Sequence, residues 1–325
     1  MLSNQLRIAA VTALAPITWG TTYLVTSELL PPGRPLLAAV LRALPAGLLL
    51  LAITRRLPMG RWWMRSIVLG TLNIGAFFAF LFLAAYRLPG GVAATMGAIG
   101  PLIVAVLASL LVGEALTLRR VLAGIAGFAG VALIVLQANA RLDAIGVVAA
   151  LAGAVSMALG SVLSKRWGRP DVARRIGGRG ARQAEPDEAT PMSGLTVTAW
   201  QLVAGGLVLI PVLLAVEGLP TEVPDAAALG GYVYLTLVGT ALAYALWFRG
   251  IGLLPVGSVS FLGLLSPVVA VVAGWLVLGE ALSIGQLLGI GVVAASLVVV
   301  FTAPPVNRPG GEAPAAARAG SRRSG

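Results

Sequence analysis

LPGGVAATMGAIGPLIVAVLASLLVGEAL, residues 88–116, returns as LPVGSVSFLGLLSPVVAVVAGWLVLGEAL, residues 254–282. The offset is 166 at every position, and 11 of the 29 aligned positions are identical. The matches include Leu88-Pro89 with Leu254-Pro255, Pro101 with Pro267, and Gly113-Glu114-Ala115-Leu116 with Gly279-Glu280-Ala281-Leu282. A gap-free register of this length marks an internal duplication. The first crossings show it more weakly. Gly20 aligns with Gly160, Arg42 with Gln201, Ala46-Gly47 with Gly205-Gly206, and Phe78 and Phe82 with Tyr244 and Phe248.

Composition sets the solvent for both copies. The 325 residues are 58% hydrophobic and 11% charged, and mean hydropathy is +0.95. Soluble domains carry roughly 25% charged residues. A chain this poor in charge is covered by lipid. It has no Cys and no His, which removes disulfides and the usual zinc and haem ligands; no metal or cofactor is expected. Net charge is +11, but the arginines fall between apolar runs, so topology rather than nucleic-acid binding explains them. The first apolar run lacks a small-residue cleavage site and is followed by more such runs, so it is expected to be retained.

A helix needs about 20 apolar residues to cross a bilayer. Ten runs meet that length, near 8–28, 35–54, 66–86, 91–111, 119–138, 144–164, 194–216, 228–248, 256–277 and 284–302. The fold class is therefore an all-α integral membrane protein with ten transmembrane helices. Its expected units are 1–138, 139–303 and a disordered tail at 304–325, with a polar linker at 168–192 inside the second unit. With the N-terminus placed in the cytoplasm, 19 Lys and Arg fall on the inner side and 4 on the outer. The positive-inside rule then puts both termini in the cytoplasm.

Five crossings are an odd number, so the second copy enters from the opposite face. Glu114 closes a span at the inner side and Glu280 closes its equivalent at the outer side. The copies are thus inverted repeats, an arrangement of secondary transporters whose substrate site lies between the halves near the midplane. An intramembrane enzyme would need a nucleophile with its base, paired acids or a metal site. No such set lies mid-span, and no enzyme is expected.

The residues also resemble a known family. Trp19-Gly20-Thr21-Thr22, Arg42, Leu88-Pro89, Pro101, Gly113-Glu114 with Gly279-Glu280, and the five-plus-five span count are similar to the EamA family of the drug/metabolite transporter superfamily. The resemblance covers residues 8–302. It implies a ten-helix exporter or permease of small metabolites, such as amino acids, nucleobases or related amphiphiles, in the plasma (inner) membrane. A lipid or headgroup flippase, and a non-transporting sensor or assembly subunit, are the alternatives.

Arg42 is the sharpest candidate for substrate binding. It lies seven residues past Pro35, about 10 Å down a helix at 1.5 Å per residue. A charge at that depth costs on the order of 2.5–3.5 kcal/mol on insertion scales, so it needs a partner or a task. Gln201 is its counterpart. Trp19 and Tyr23 share one helix face, Asn73, Phe77 and Phe80 share another at spacings of four and three, and Tyr244 and Trp247 form the matching pair. Each set reads either as site lining or as packing. Glu28, Pro101 and Pro267 are expected as gate or hinges. Glu114 and Glu280 are expected as structural turns that accept amides at the start of the following helix, near Thr117 and Ser283. Trp62 and Trp63 are expected as interfacial anchors.

Overall fold

In the computed structural model, residues 2–87, 97–135, 143–168, 193–219, 223–279 and 281–302 are described. They are helical, with no strand among them. In chain order the helices are α1 (Leu2–Leu29), α2 (Pro35–Thr54), α3 (Trp62–Gly70), α4 (Ala76–Arg87), α5 (Gly100–Val112), α6 (Leu118–Val135) and α7 (Ala144–Trp167). The second half holds α8 (Gly194–Val216), α9 (Ala226–Thr236), α10 (Ala243–Leu253), α11 (Val256–Leu262), α12 (Leu265–Ala273) and α13 (Ile284–Phe301). Among the described residues nine continuous stretches are long and apolar enough to span, and Gly100–Val112 is a shorter apolar helix in the fourth position. The ten crossings expected from the apolar runs are all represented. The linker beyond residue 168, the tail, Leu88-Pro89 and Glu280 lie outside the described residues.

Helix boundaries follow local chemistry. Asp143, Ser193 and Asp225 each cap a helix start, accepting from Gly146 N at 2.7 Å, Thr196 N at 3.2 Å and Ala228 N at 2.8 Å. Ser283 and Gln286 form a reciprocal capping box on α13. The duplicated Gly-Glu-Ala-Leu turns begin alike: Gly113 at φ +68 and Gly279 at φ +70 end their helices in the left-handed region.

Both fourth-position crossings break just ahead of their proline. Pro267 is the third residue of α12, after a break at Gly263-Leu264, and Pro101 follows Ala98-Ile99 at the start of α5. A proline has no N–H and its ring crowds the carbonyl four residues back. That residue is glycine in both copies, Gly97 and Gly263. The Gly263 carbonyl instead accepts from Ser266 N, three residues on, at 3.1 Å. The two prolines therefore sit beside breaks rather than in the middle of continuous kinked helices.

The repeats meet along two helix pairs whose contacts exchange under the duplication. α2 packs on α8: a Cβ added at Gly47 would lie 2.6 Å from Val203 N, and one at Gly206 would lie 2.9 Å from Leu44 Cβ. The offset of 159 maps each contact onto the other. α6 packs on α13: Gly127 faces Ser296 and Gly130 faces Val293, exchanged by the offset of 166. Lipid supplies no hydrophobic drive between helices, so close backbone approach through small residues does the packing.

Trp62 departs from its expected place at the interface. It is buried at 7% exposure, its ring 5.7 Å from Trp200, while Trp63 is 53% exposed. Successive helical residues point about 100° apart, so one tryptophan faces inward.

Candidate functional site

The third and eighth crossings each contain one π-helical turn, Thr71–Gly75 and Leu237–Leu242. They coincide at the offset of 166. Ala76 N reaches back five residues to Thr71 O, and Ala243 N reaches back five to Val238 O. Such a turn inserts a residue, disturbs the regular ladder and leaves carbonyls able to accept from outside the helix. In the eighth crossing the free carbonyl is Gly239 O. It accepts from Arg42 Nη2 at 2.9 Å and from Trp19 Nε1 at 3.1 Å. In the third it is Leu72 O, which accepts from Ser156 Oγ at 2.8 Å.

Arg42 is buried at 9% exposure. Its Nε donates to Thr240 Oγ1 at 2.9 Å, and its guanidinium lies over the Phe78 ring, 5.4 Å from the centroid. Each hydrogen bond from a charged donor contributes about 1.5–3 kcal/mol, enough together to offset the insertion cost. Arg42 on α2 belongs to the first repeat and Gly239-Thr240 to the second, so the cation is held at the repeat boundary. Trp19 extends the cluster: its ring is 5.1 Å from both Tyr244 and Trp247, and Tyr244 is 5.9 Å from Phe248.

Gln201 occupies the place equivalent to Arg42 and meets the other π turn. Asn73 Nδ2 donates to Gln201 Oε1 at 2.7 Å and to Ser164 Oγ at 3.3 Å. Both amides are fully buried. A Cβ at Gly160 would lie 2.3 Å from Asn73 Oδ1, so α7 closes over the pair. Asn73 and Gln201 form an interhelical tie, with Asn73 Oδ1 and Gln201 Nε2 left without a partner among the described residues.

The other candidates separate. Trp19, Arg42, Tyr244 and Trp247 come together. Phe77 is half-buried beside Phe78, ring centroids 5.6 Å apart. Phe80 is 36% exposed, with its Cβ near the place a Gly153 Cβ would take, away from Arg42. Glu28 is exposed at the end of α1. The Tyr23 side chain and Glu280 lie outside the described residues. Phe78, Gly239, Thr240 and Phe248 belong to the cluster without having been candidates. Phe78 and Phe248 carried one signal, their alignment with Tyr244 and Phe82.

Glu114 caps a different helix from the one expected. Its Oε1 accepts from Val256 N at 2.7 Å and its Oε2 from Gly257 N at 3.1 Å. It thus holds the start of α11, in the other repeat, and pairs with Arg120 at 3.7 Å. The start of α6 is served by Thr117 Oγ1, which accepts from Arg120 N at 3.3 Å. Lys165 reinforces this face, donating to the carbonyls of Ile251, Gly252 and Leu254. On the opposite face Glu217 accepts from Leu36 N at 2.5 Å and Leu37 N at 3.0 Å. Arg34 Nη2 donates back to the carbonyls of Glu217, Gly218 and Leu219. A carboxylate from one repeat therefore caps a helix of the other at each end of the bundle.

A profile of the EamA-like transporter family matches residues 6–136 and again 188–302. The chain belongs to the EamA-like transporter family. It is 43% identical over 286 residues to Protein PecM of Dickeya dadantii (strain 3937), covering 88% of this chain and 89% of that one. It is 26% identical to the uncharacterized transporter YvbV of Bacillus subtilis (strain 168), covering 91% and 92%. It is 29% identical to the uncharacterized inner membrane transporter YedA of Escherichia coli (strain K12), covering 90% and 92%. A solved crystal structure shares the fold, with a TM-score of 0.75 at 20% identity over 91% of this chain and 98% of the other. This EamA protein is accordingly a multi-pass membrane transporter and not an enzyme.

Proposed function

We propose that the protein is a secondary transporter, an exporter or permease of small metabolites such as amino acids or related amphiphiles, working by alternating access between its inverted repeats. The observation that carries this reading is Arg42, a buried cation held across the repeat boundary by the π turn at Leu237–Leu242 and bordered by Trp19, Tyr244 and Phe78. Its donors and ring faces suit a solute with an acceptor group and an apolar body. The cap pairs support alternating access, since releasing Glu114 opens one face and releasing Glu217 opens the other. The arginine distribution supports a plasma (inner) membrane location with both termini on the cytoplasmic side.

The test is counterflow in proteoliposomes preloaded with a metabolite pool. Wild-type protein gives saturable exchange, and Arg42→Ala abolishes it while eluting as a folded species. Normal exchange by a folded Arg42→Ala protein removes Arg42 from the site. Single-cysteine reporters at the two termini check the orientation against a membrane-impermeant thiol reagent, because the natural chain has no cysteine of its own.

A further inference from the structure

We infer that the Trp247 indole N–H is a donor reserved for the transported solute, and that the solute presents a carbonyl or carboxylate there rather than a cationic amine. The inference rests on the reading that the Arg42 cluster holds the solute. Trp247 is 5% exposed. Its Nε1 is buried and has no hydrogen-bond partner among the described residues. An indole nitrogen is a donor only, and within a bilayer an unpaired buried polar group costs several kcal/mol.

Two other tryptophans spend the same donor, although Ser66 Oγ, Asn73 Oδ1 and Gln201 Nε2 are also buried without a partner among the described residues. Trp19 Nε1 donates to Gly239 O and Trp200 Nε1 donates to Arg56 O at 2.7 Å. Trp247 packs against Trp19, centroids 5.1 Å apart, yet its own donor is unspent. Gly239 O, the acceptor that Trp19 uses, already receives two donors. What is missing beside Trp247 is an acceptor, and a solute can supply it.

Charge decides the solute class. The described acids, Glu28, Glu114, Asp143, Glu217 and Asp225, all lie at helix ends. None enters the cluster. Ring faces alone attract cations, but here the Arg42 guanidinium shares the cluster and repels a second positive charge. An acceptor-bearing aromatic or apolar solute gains Arg42, the Trp247 N–H and the Trp19 and Tyr244 faces together. An amine gains only the faces.

Phenylacetate and phenethylamine, alike in ring and chain length, form the probe pair. Protein labelled with 15N-tryptophan is placed in nanodiscs, and the indole resonance absent from Trp247→Phe is followed by NMR. Phenylacetate moves that resonance downfield and phenethylamine leaves it in place. Trp247→Phe binds phenylacetate at least 10-fold more weakly. Benzothienylalanine at position 247, which keeps the ring size and lacks the N–H, reproduces that loss and separates the donor from packing. The inference is overturned if neither probe moves the resonance, if both move it equally, or if the benzothienyl variant binds as wild type does. Counterflow by wild-type protein alongside an unmoved resonance sinks this inference and leaves the transport reading standing. Absence of counterflow with every metabolite pool sinks the transport reading itself.

Discussion

Of the three π turns among the described residues, the third being Gly274–Leu278, those at Thr71–Gly75 and Leu237–Leu242 occupy equivalent positions in the repeats and are used in opposite ways. At Leu237–Leu242 the free carbonyl receives a cation and an indole from the first repeat, and Trp19 beside it is only half-buried. At Thr71–Gly75 the equivalent place holds two neutral amides at zero exposure, sealed by Gly160. Duplication supplied two matching defects in the helical ladder. One became the charged cluster and the other became a tie between helices. Inverted architecture can therefore persist in the backbone while side chains abandon the symmetry.

Moving the charge from one turn to the other gives the largest expected effect. Gln201→Arg places a guanidinium where nothing is exposed and where Gly70 allows no more room: a Cβ there would lie 2.6 Å from Gln201 O. Its membrane accumulation falls at least 10-fold in a quantitative blot. The converse change, Arg42→Gln, accumulates normally and loses counterflow by about 100-fold, which is about 2.8 kcal/mol at 1.4 kcal/mol per decade. Equal accumulation of both variants would erase the distinction between the two turns.

Packing at the tied turn comes next. Gly205→Ala puts a methyl 2.4 Å from Ile74 Cβ and 2.6 Å from Gly70 O. Overpacking of that kind costs about 1–3 kcal/mol, read as a lowered midpoint in thermal unfolding. Gly239→Ala, whose nearest neighbour would be Arg42 Nη2 at 3.5 Å, is tolerated by comparison.

The amide tie is then separable by a double-mutant cycle. Asn73→Leu or Gln201→Leu alone strands a buried amide and costs about 1–3 kcal/mol. The double replacement costs less than the sum of the two, and counterflow in the folded double variant stays within threefold of wild type. Loss of counterflow there would make the tied turn part of the site. The smallest effect is Thr240→Val. It removes the acceptor of Arg42 Nε and weakens apparent solute affinity about threefold to tenfold, about 1 kcal/mol on the usual scale for one hydrogen bond.

The ten crossings and their inversion were legible because apolar length and the 166-residue register are properties of the chain itself. Arg42, Trp19, Tyr244 and Trp247 were legible for a related reason: polar and aromatic groups stand out within apolar runs. The π turns were not. A ladder that slips by one residue has no compositional mark, and it shifts everything after it. Phe77 stands four residues past Asn73, yet it is Phe78 that lies under Arg42. The role of Glu114 was hidden for another reason. Its carboxylate serves amides 142 and 143 residues away, and local spacing reports only on the helix that follows.

The break at Gly263-Leu264 divides the mechanical loyalties of the ninth crossing. Its first segment, seven residues long, is gripped by Glu114. Its second lies against α1, where a Cβ on Gly20 would come within 2.6 Å of Ser266 O. Freeing the short segment would break two bonds to a carboxylate, about 3–6 kcal/mol, and would also uncover Val256, Val259, Phe261 and Leu262, all buried. The longer piece is keyed to α1 by that close approach. A gate at this end of the passage would thus move a stub of helix rather than haul a whole membrane-length rod through lipid.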